Sequence, residues 1–180
     1  QQQGKPLSIF VNGINTTREE ALAQTTLAKA MTVFYNPSAW MIADLTESGI
    51  SKWLGPTEID KEFARTLNRL AEAGVPVEIT AYSQGTLITT RALESGARLT
   101  EGSAVRLKAS ALSERRAYTA VTRAGGRLDY TPTGLFDPIN IIQDLNPIKM
   151  YGGRIGLFWD LATGFRYSSH DLRRYLPQNA

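Results

Sequence analysis

The sequence predicts an α/β fold, a three-layer α/β/α sandwich on a mainly parallel sheet of about five strands. Short β-branched or alternating runs recur along the chain, helix-length amphipathic segments separate them, and glycine or proline marks most of the junctions. Strands that alternate with helices are joined by right-handed crossovers and therefore lie parallel. With 180 residues, 42% hydrophobic and 21% charged, the chain suits a single domain over 1–180 around one core.

The first strand is the apolar run at 7–12, and Gly13-Ile14-Asn15 turns out of it. Thr16 with Glu19 three residues on is a capping-box pair, which predicts a helix from 17 to about 30. A second strand at 32–35 stops at Asn36-Pro37-Ser38, and 39–54 reads as a moderately amphipathic helix carrying Trp40, Met41, Leu45, Ile50 and Trp53. Gly55-Pro56 ends it, and Thr57 caps a helix to 73 with Ile59, Phe63, Leu67 and Leu70 at helical spacing. Gly74 closes that helix, and from Val75 the chain enters the strand Val77-Glu78-Ile79-Thr80-Ala81-Tyr82. A helix at 86–94 follows, closed by Gly96. Beyond it come a strand at 104–112, a helix at 113–124, the turn Gly125-Gly126 and a strand at 127–131. From 132 to 164 the pattern loosens, and long irregular stretches in compact domains tend to be functional. A short helix at 172–176 closes the chain.

The absence of cysteine excludes a disulfide framework and a thiolate metal site. No apolar run is as long as a bilayer-spanning helix needs, and Gln1-Gln2-Gln3-Gly4-Lys5-Pro6 lacks the basic and apolar regions of a signal peptide. The net charge of +3 comes mostly from arginine, with Arg115, Arg116, Arg123 and Arg127 in one group and Arg166, Arg173 and Arg174 in another. Such charge attracts anionic headgroups or nucleic acid through the summed field, but a solvated basic face carries the same residues. No nucleic-acid module accompanies them, so no nucleic-acid partner is expected.

The chemistry concentrates at Ala81-Tyr82-Ser83-Gln84-Gly85, where a strand-like run meets a helix-like one. A serine on such a turn stands above the sheet with a helix N-terminus facing it, which is the geometry of a nucleophile elbow. Residues two before and two after must be small because backbones cross there at close range; Ala81 and Gly85 meet the need, although the usual first flank is glycine. A serine hydroxyl is a weak nucleophile near neutral pH and needs a histidine oriented by a carboxylate. The chain's one histidine, His170, lies downstream near the C-terminus, where the order Ser, acid, His requires the base. Asp137, followed by Pro138, lies on the loop beyond the 127–131 strand and ranks first as the acid, with Asp144 second. Asp129 falls inside a strand, Asp160 in the irregular region, and Asp171 adjoins the histidine too closely to orient it. The two backbone donors of an oxyanion hole are expected at Gln84, after the serine, and at Ile14, in the loop after the neighbouring strand, where Gly13 lets the backbone turn inward. Gly13, Tyr82, Leu157, Phe158 and Trp159 are the candidate substrate contacts, although large apolar residues also fill cores. Neither a metal nor a cofactor is called for.

With Asn12-Gly13-Ile14, Phe34-Tyr35-Asn36-Pro37, Ala81-Tyr82-Ser83-Gln84-Gly85-Thr86, Phe136-Asp137-Pro138 and His170-Asp171-Leu172-Arg173-Arg174-Tyr175-Leu176 together, the chain resembles a compact α/β-hydrolase domain. Domains of that kind stand at the C-termini of large bacterial surface and polymorphic toxins, among them the filamentous-hemagglutinin-type proteins of contact-dependent growth inhibition. The resemblance spans nearly the whole chain, with the Ser, Asp-Pro and His blocks its specific parts. It implies a lipase- or esterase-like toxin effector, secreted or delivered into a target bacterial cell, with a membrane phospholipid as substrate and a cognate immunity protein as partner. Two alternatives stay open: a catalytically silent hydrolase fold used as a binding module, and an acyltransferase, thioesterase or peptidase on the same triad.

Overall fold

A computed structural model of the chain describes residues 5–13, 17–35, 57–110 and 112–131. Five strands form one fully parallel sheet: β1 (Leu7–Val11), β2 (Thr32–Phe34), β3 (Val77–Tyr82), β4 (Ala104–Lys108) and β5 (Arg127–Thr131). Their order across the sheet is β2-β1-β3-β4-β5. Four helices lie among the described residues: α1 (Arg18–Leu27), α2 (Glu58–Glu72), α3 (Gln84–Glu94) and α4 (Glu114–Arg123). The α/β class, the parallel sheet and the sandwich are as the alternation of segments predicts. The segments expected at 39–54 and 172–176 lie outside the described residues.

Side-chain alternation along each strand divides the two faces. Ile9, Val11, Val77, Ile79, Ala81, Val105 and Leu107 point to one face and form the main core with Phe63 and Leu67 of α2, Ile88, Ala92 and Leu93 of α3, and Ala117 and Val121 of α4. Phe10 and Tyr82 point to the other face and pack with Ala109, and with Ala28, Ala30 and Val33 around the end of α1. Right-handed crossovers require this division. The chain steps from β1 to β2 in one direction and from β3 to β5 in the other, so α1 goes to the opposite face from α2, α3 and α4.

Toward β4 and β5 the α1 face is charged. Arg106 donates to both carboxylate oxygens of Glu78 at 3.2 and 3.0 Å, and Lys108 reaches Asp129 at 3.4 Å and Thr131 at 2.8 Å. Asp129 is an exposed residue inside β5, as expected, and pairs with Lys108.

Several boundaries differ from the sequence expectation; β1 ends at Val11, α1 at Leu27 and β2 at Phe34, each short of the expected end. Thr17, with Glu20, forms the first capping box in place of Thr16 and Glu19: the Thr17 hydroxyl accepts from Glu20 N–H at 3.2 Å and Glu20 accepts from Thr17 N–H at 2.8 Å. Two Thr-x-x-Glu frames overlap there, and tertiary packing selects the one that buries Ala21 and Thr25. β4 ends at Lys108 and not near 112, because Ala109 takes a φ of +48° and turns the chain off the sheet. α3 starts at Gln84, two residues earlier than expected, directly after the serine. Elsewhere Thr57 caps α2 as expected, Ser113 caps α4, whose range is close to the expected one, and β5 has the expected bounds.

Candidate functional site

The strand order places a topological switch point between β1 and β3, where consecutive crossovers leave toward opposite faces. In open α/β sheets the crevice outside the carboxyl ends of the strands at such a point is where ligands bind. Gly13 follows the end of β1 and Ser83 the end of β3, so both motif residues stand at the rim of that crevice.

Ser83 has φ +54° and ψ −121°, a combination far from the left-handed helical well that a non-glycine residue enters when φ is positive. It is the N-cap residue of α3, yet its side chain makes no capping bond. Thr17, Thr57 and Ser113 behave otherwise, each accepting from a backbone N–H three residues on. Thr86 takes over the local work, its hydroxyl donating to Ser83 C=O at 2.6 Å and its N–H at 3.0 Å. The Ser83 N–H donates to Lys108 C=O at 3.1 Å, which ties the turn to the end of β4. Ser83 is 1% exposed, and its Oγ has no hydrogen-bond partner among the described residues. Leaving a buried hydroxyl unpaired costs about 1–3 kcal/mol, so the helix-cap explanation of this serine fails on geometry.

The flanking small residues have distinct reasons. A Cβ on Gly85 would lie 2.4 Å from Val11 O and 2.8 Å from Asn12 O, so the first turn of α3 can ride on the end of β1 only with glycine there. The close crossing that the motif demands is therefore with the neighbouring strand and not with the serine's own. Ala81 is fully buried within β3, between Val11 of β1 and Leu107 of β4. A Cβ on Gly13 would stand 3.0 Å from Ser83 Cβ, 3.5 Å from Ser83 Oγ and 3.3 Å from Tyr82 Cδ1. The loop after β1 thus lies against the serine itself. Gln84 opens α3, which puts its N–H at the positive end of the helix dipole beside Ser83. Tyr82 is 5% exposed and packs with Phe10 and Ala109, which makes it a wall of the rim more than an open contact surface.

Behind the turn lies a buttress that the sequence reading missed. Ser110 is fully buried; its Oγ accepts from Leu112 N–H at 3.2 Å, donates to Leu112 C=O at 3.2 Å and lies 3.5 Å from Thr86 Oγ1. Tyr130 of β5 donates to the same Leu112 carbonyl at 2.7 Å. Small residues after β4 were the available signal, and they read instead as strand continuation. Also missed was a buried ion pair against α3, Arg91 to Asp60 at 3.5 Å, with the side chains 4% and 2% exposed. Burial pushes the Asp60 carboxyl above its ordinary pKa despite hydrogen bonds from Thr57 and the Arg91 charge, and burial likewise lowers Arg91.

Gly13, Tyr82, Ser83 and Gln84 are thus brought to one end of the sheet. Asp137, Asp144, His170, Ile14, Leu157, Phe158 and Trp159 lie outside the described residues. Of the basic group, Arg116 makes a two-pronged pair with Glu94 at 2.7 Å on each arm. Among the described residues no cluster of three or more acidic or histidine side chains is arranged to hold a metal ion. What the arrangement offers chemically is a hydroxyl with no partner among the described residues, on a strained turn, between a helix N-terminus and a glycine loop. No protein-family model matches the chain, and no curated protein or solved structure matches it.

Proposed function

We propose that this chain is a cofactor-free serine hydrolase that cleaves a carboxylic ester, with Ser83 as the nucleophile and a lipid as the acyl source. The observation that carries the reading is the Ser83 backbone at φ +54° and ψ −121° with no partner for its Oγ among the described residues. Strained backbone that persists without a local structural reason clusters at functional sites.

In this mechanism Ser83 Oγ attacks the acyl carbonyl, and His170, the chain's one imidazole, takes the proton and returns it to the leaving alcohol. Asp137 holds the imidazole in the required tautomer. The N–H groups of Gln84 and Ile14 stabilise the tetrahedral oxyanion, with the dipole of α3 adding to the field. Water then releases the acyl group from the serine, with His170 acting as base. The similarity to toxin-borne domains supplies the rest: contact with a membrane surface, delivery to a target bacterium and neutralisation by an immunity protein.

Incubation of wild type and Ser83→Ala with mixed phospholipid vesicles, with released fatty acid and lysolipid identified by mass spectrometry, tests the proposal. Release by wild type alone supports it. Equal release by both, or none by either while short-chain esters are also untouched, sinks it. Fluorophosphonate treatment of folded wild type adds a second readout, because absence of an adduct on Ser83 would favour the binding-module alternative.

A further inference from the structure

We infer that Thr86 is a positioning residue for Ser83, holding the turn in a shape that keeps the serine hydroxyl out of the helix cap; this rests on the serine-hydrolase reading above. Ser83 is the N-cap of α3, and Thr86 stands three residues on. At the other three described helices the N–H at that place, from Glu20, Asp60 or Arg116, donates to the hydroxyl of the cap residue. Each of those cap residues is extended, with ψ of 165°, 171° and 146°. Their carbonyls accept from the N–H four residues on, at 2.8, 3.1 and 3.1 Å. At α3 the capping donor is diverted. Thr86 N–H goes to Ser83 C=O at 3.0 Å, and the Thr86 hydroxyl donates to the same carbonyl at 2.6 Å.

Two donors on one carbonyl set ψ, the torsion that carries the carbonyl around the Cα–C bond. The torsion φ is set from the other side, where Ser83 N–H donates to Lys108 C=O at 3.1 Å. With both ends of the residue tied, φ of +54° and ψ of −121° persist although the combination is unfavourable for a side-chain-bearing residue. Threonine suits position 86 because a hydroxyl donates. Glu20 and Asp60, at the matching places in α1 and α2, are carboxylates that only accept, and each takes the N–H of its cap residue. Thr86 is fully buried, so bulk water does not compete for its bond to the carbonyl. The same bond orients the next amide. C=O and N–H point to opposite sides of a trans peptide, and among the described residues no peptide bond is cis. The Ser83 carbonyl points toward Thr86, so the Gln84 N–H of that peptide unit points away from Thr86. One hydroxyl thus holds both the nucleophile and a proposed oxyanion donor.

The test compares wild type with Thr86→Val, which keeps the shape and loses the donor, and with Thr86→Ser, which keeps the donor. Each is also made in the Ser83→Ala background, and Thr86→Ala carries the same expectations as Thr86→Val should the latter fail to fold. Turnover of a short-chain ester, the rate of Ser83 phosphonylation by a fluorophosphonate, and urea unfolding are the readouts. Thr86→Val is expected to lower kcat by about tenfold to a hundredfold with KM little changed, the loss that follows a misplaced reacting group. Phosphonylation falls in step, and Thr86→Ser restores most of both. Unfolding adds a signature that a merely structural hydroxyl would not give. Without the hydroxyl at 86 the turn relaxes and Ser83 Oγ accepts the N–H of residue 86 as an ordinary cap, which alanine at 83 cannot do. Thr86→Val therefore lowers the folding constant about fivefold less with serine at 83 than with alanine there, the usual worth of a helix cap. A loss of turnover that Thr86→Ser does not restore, or an equal unfolding cost in the two backgrounds, overturns the inference. Wild type that labels at Ser83 alongside an equally reactive Thr86→Val variant overturns this inference alone, whereas wild type that neither labels nor turns over ester removes the hydrolase reading with it.

Discussion

Ser83 and Lys29 share a backbone anomaly, φ of +54° and +51°, but for different reasons. Lys29 sits just past α1, where its N–H bonds Thr26 C=O and the next N–H, that of Ala30, bonds Thr25 C=O. Gly74, Gly96 and Gly125 occupy the same place past the other three described helices, with the same pair of bonds and the same sign of φ. This is the Schellman ending, which requires a left-handed residue and takes glycine by preference. Lys29 is therefore accounted for by its own helix. Ser83 begins a helix, where no ending motif operates, and its hydroxyl caps nothing. Positive φ that a helix end explains says nothing about function, and Ala109 takes its positive φ where the chain turns off the sheet; at Ser83 neither reason applies, and the proposed role rests on that.

The largest expected effect breaks the comparison outright if it fails. Ser83→Ala should lower ester turnover by about six orders of magnitude if Ser83 acts with its partners as a unit. It should leave folding intact or slightly improved, because it deletes a buried hydroxyl that has no partner among the described residues. Ester turnover and chemical unfolding measured on the same preparation check both halves. A large stability loss would mean that the hydroxyl has a structural task.

Asp60 supplies the opposite case, a buried polar group that is fully engaged. It accepts from Thr57 N–H at 2.7 Å and from Arg91 at 3.5 Å. Asp60→Ala removes the cap partner and leaves Arg91 buried without its counter-charge, for a loss of about 3–5 kcal/mol in urea unfolding. Asp60→Asn keeps an acceptor for the cap and should cost less. The pH dependence follows from the sign of the shift. Burial raises the folded-state pKa above the ordinary carboxylate value, so the folded chain holds this proton more tightly than the unfolded chain. Ionising Asp60 therefore opposes folding, and the penalty grows as pH rises from the ordinary value through the folded value, being relieved on acidification through the same window. Over that window the stability of wild type relative to Asp60→Asn should fall as pH rises. A rise would show that the Arg91 charge outweighs burial.

Gly85→Ala comes next. Its Cβ would meet a backbone oxygen at 2.4 Å, and neither element can yield without disturbing the other. A loss of about 3 kcal/mol is expected, at the upper end for overpacking, with loss of ester turnover as the end of β1 moves off α3. Retention of both in the variant would show that the crossing is looser than the geometry says.

How far the sequence carried this site depends on the range of the interactions. Strand bounds such as 127–131 and the Thr57 cap were legible because alternation and capping are local. The turn at Ser83 was legible because strand, small flanks and helix adjoin in the chain. The choice of Thr17 over Thr16 was not, since both frames satisfy the local rule and burial of Ala21 and Thr25 decides between them. Nor was the end of β4, because Ala109 suits a strand by composition and turns only where Ser83 N–H takes the Lys108 carbonyl. The need for Gly85 was legible, but its collision partner on β1 was not, because the two are far apart in sequence and adjacent only after parallel pairing. The Asp60–Arg91 pair joins residues 31 positions apart and left no local trace.

The smallest effect is also the sharpest probe of the comparison, because it measures strain at the two positions by the same exchange. At residue 29, Gly should stabilise over Ala by about 1 kcal/mol, the ordinary penalty for a side chain in the left-handed region. At residue 83, in a background that already lacks the hydroxyl, Gly should stabilise over Ala by about 1–2 kcal/mol, because ψ of −121° lies outside the left-handed well as well. Unfolding free energies of Lys29→Gly, Lys29→Ala, Ser83→Gly and Ser83→Ala give the two differences directly. A gain at 29 with none at 83 would mean that the turn relaxes when the serine is removed. The strain would then belong to the hydroxyl's surroundings and not to the strand-to-helix junction, and the backbone evidence for a poised nucleophile would be lost.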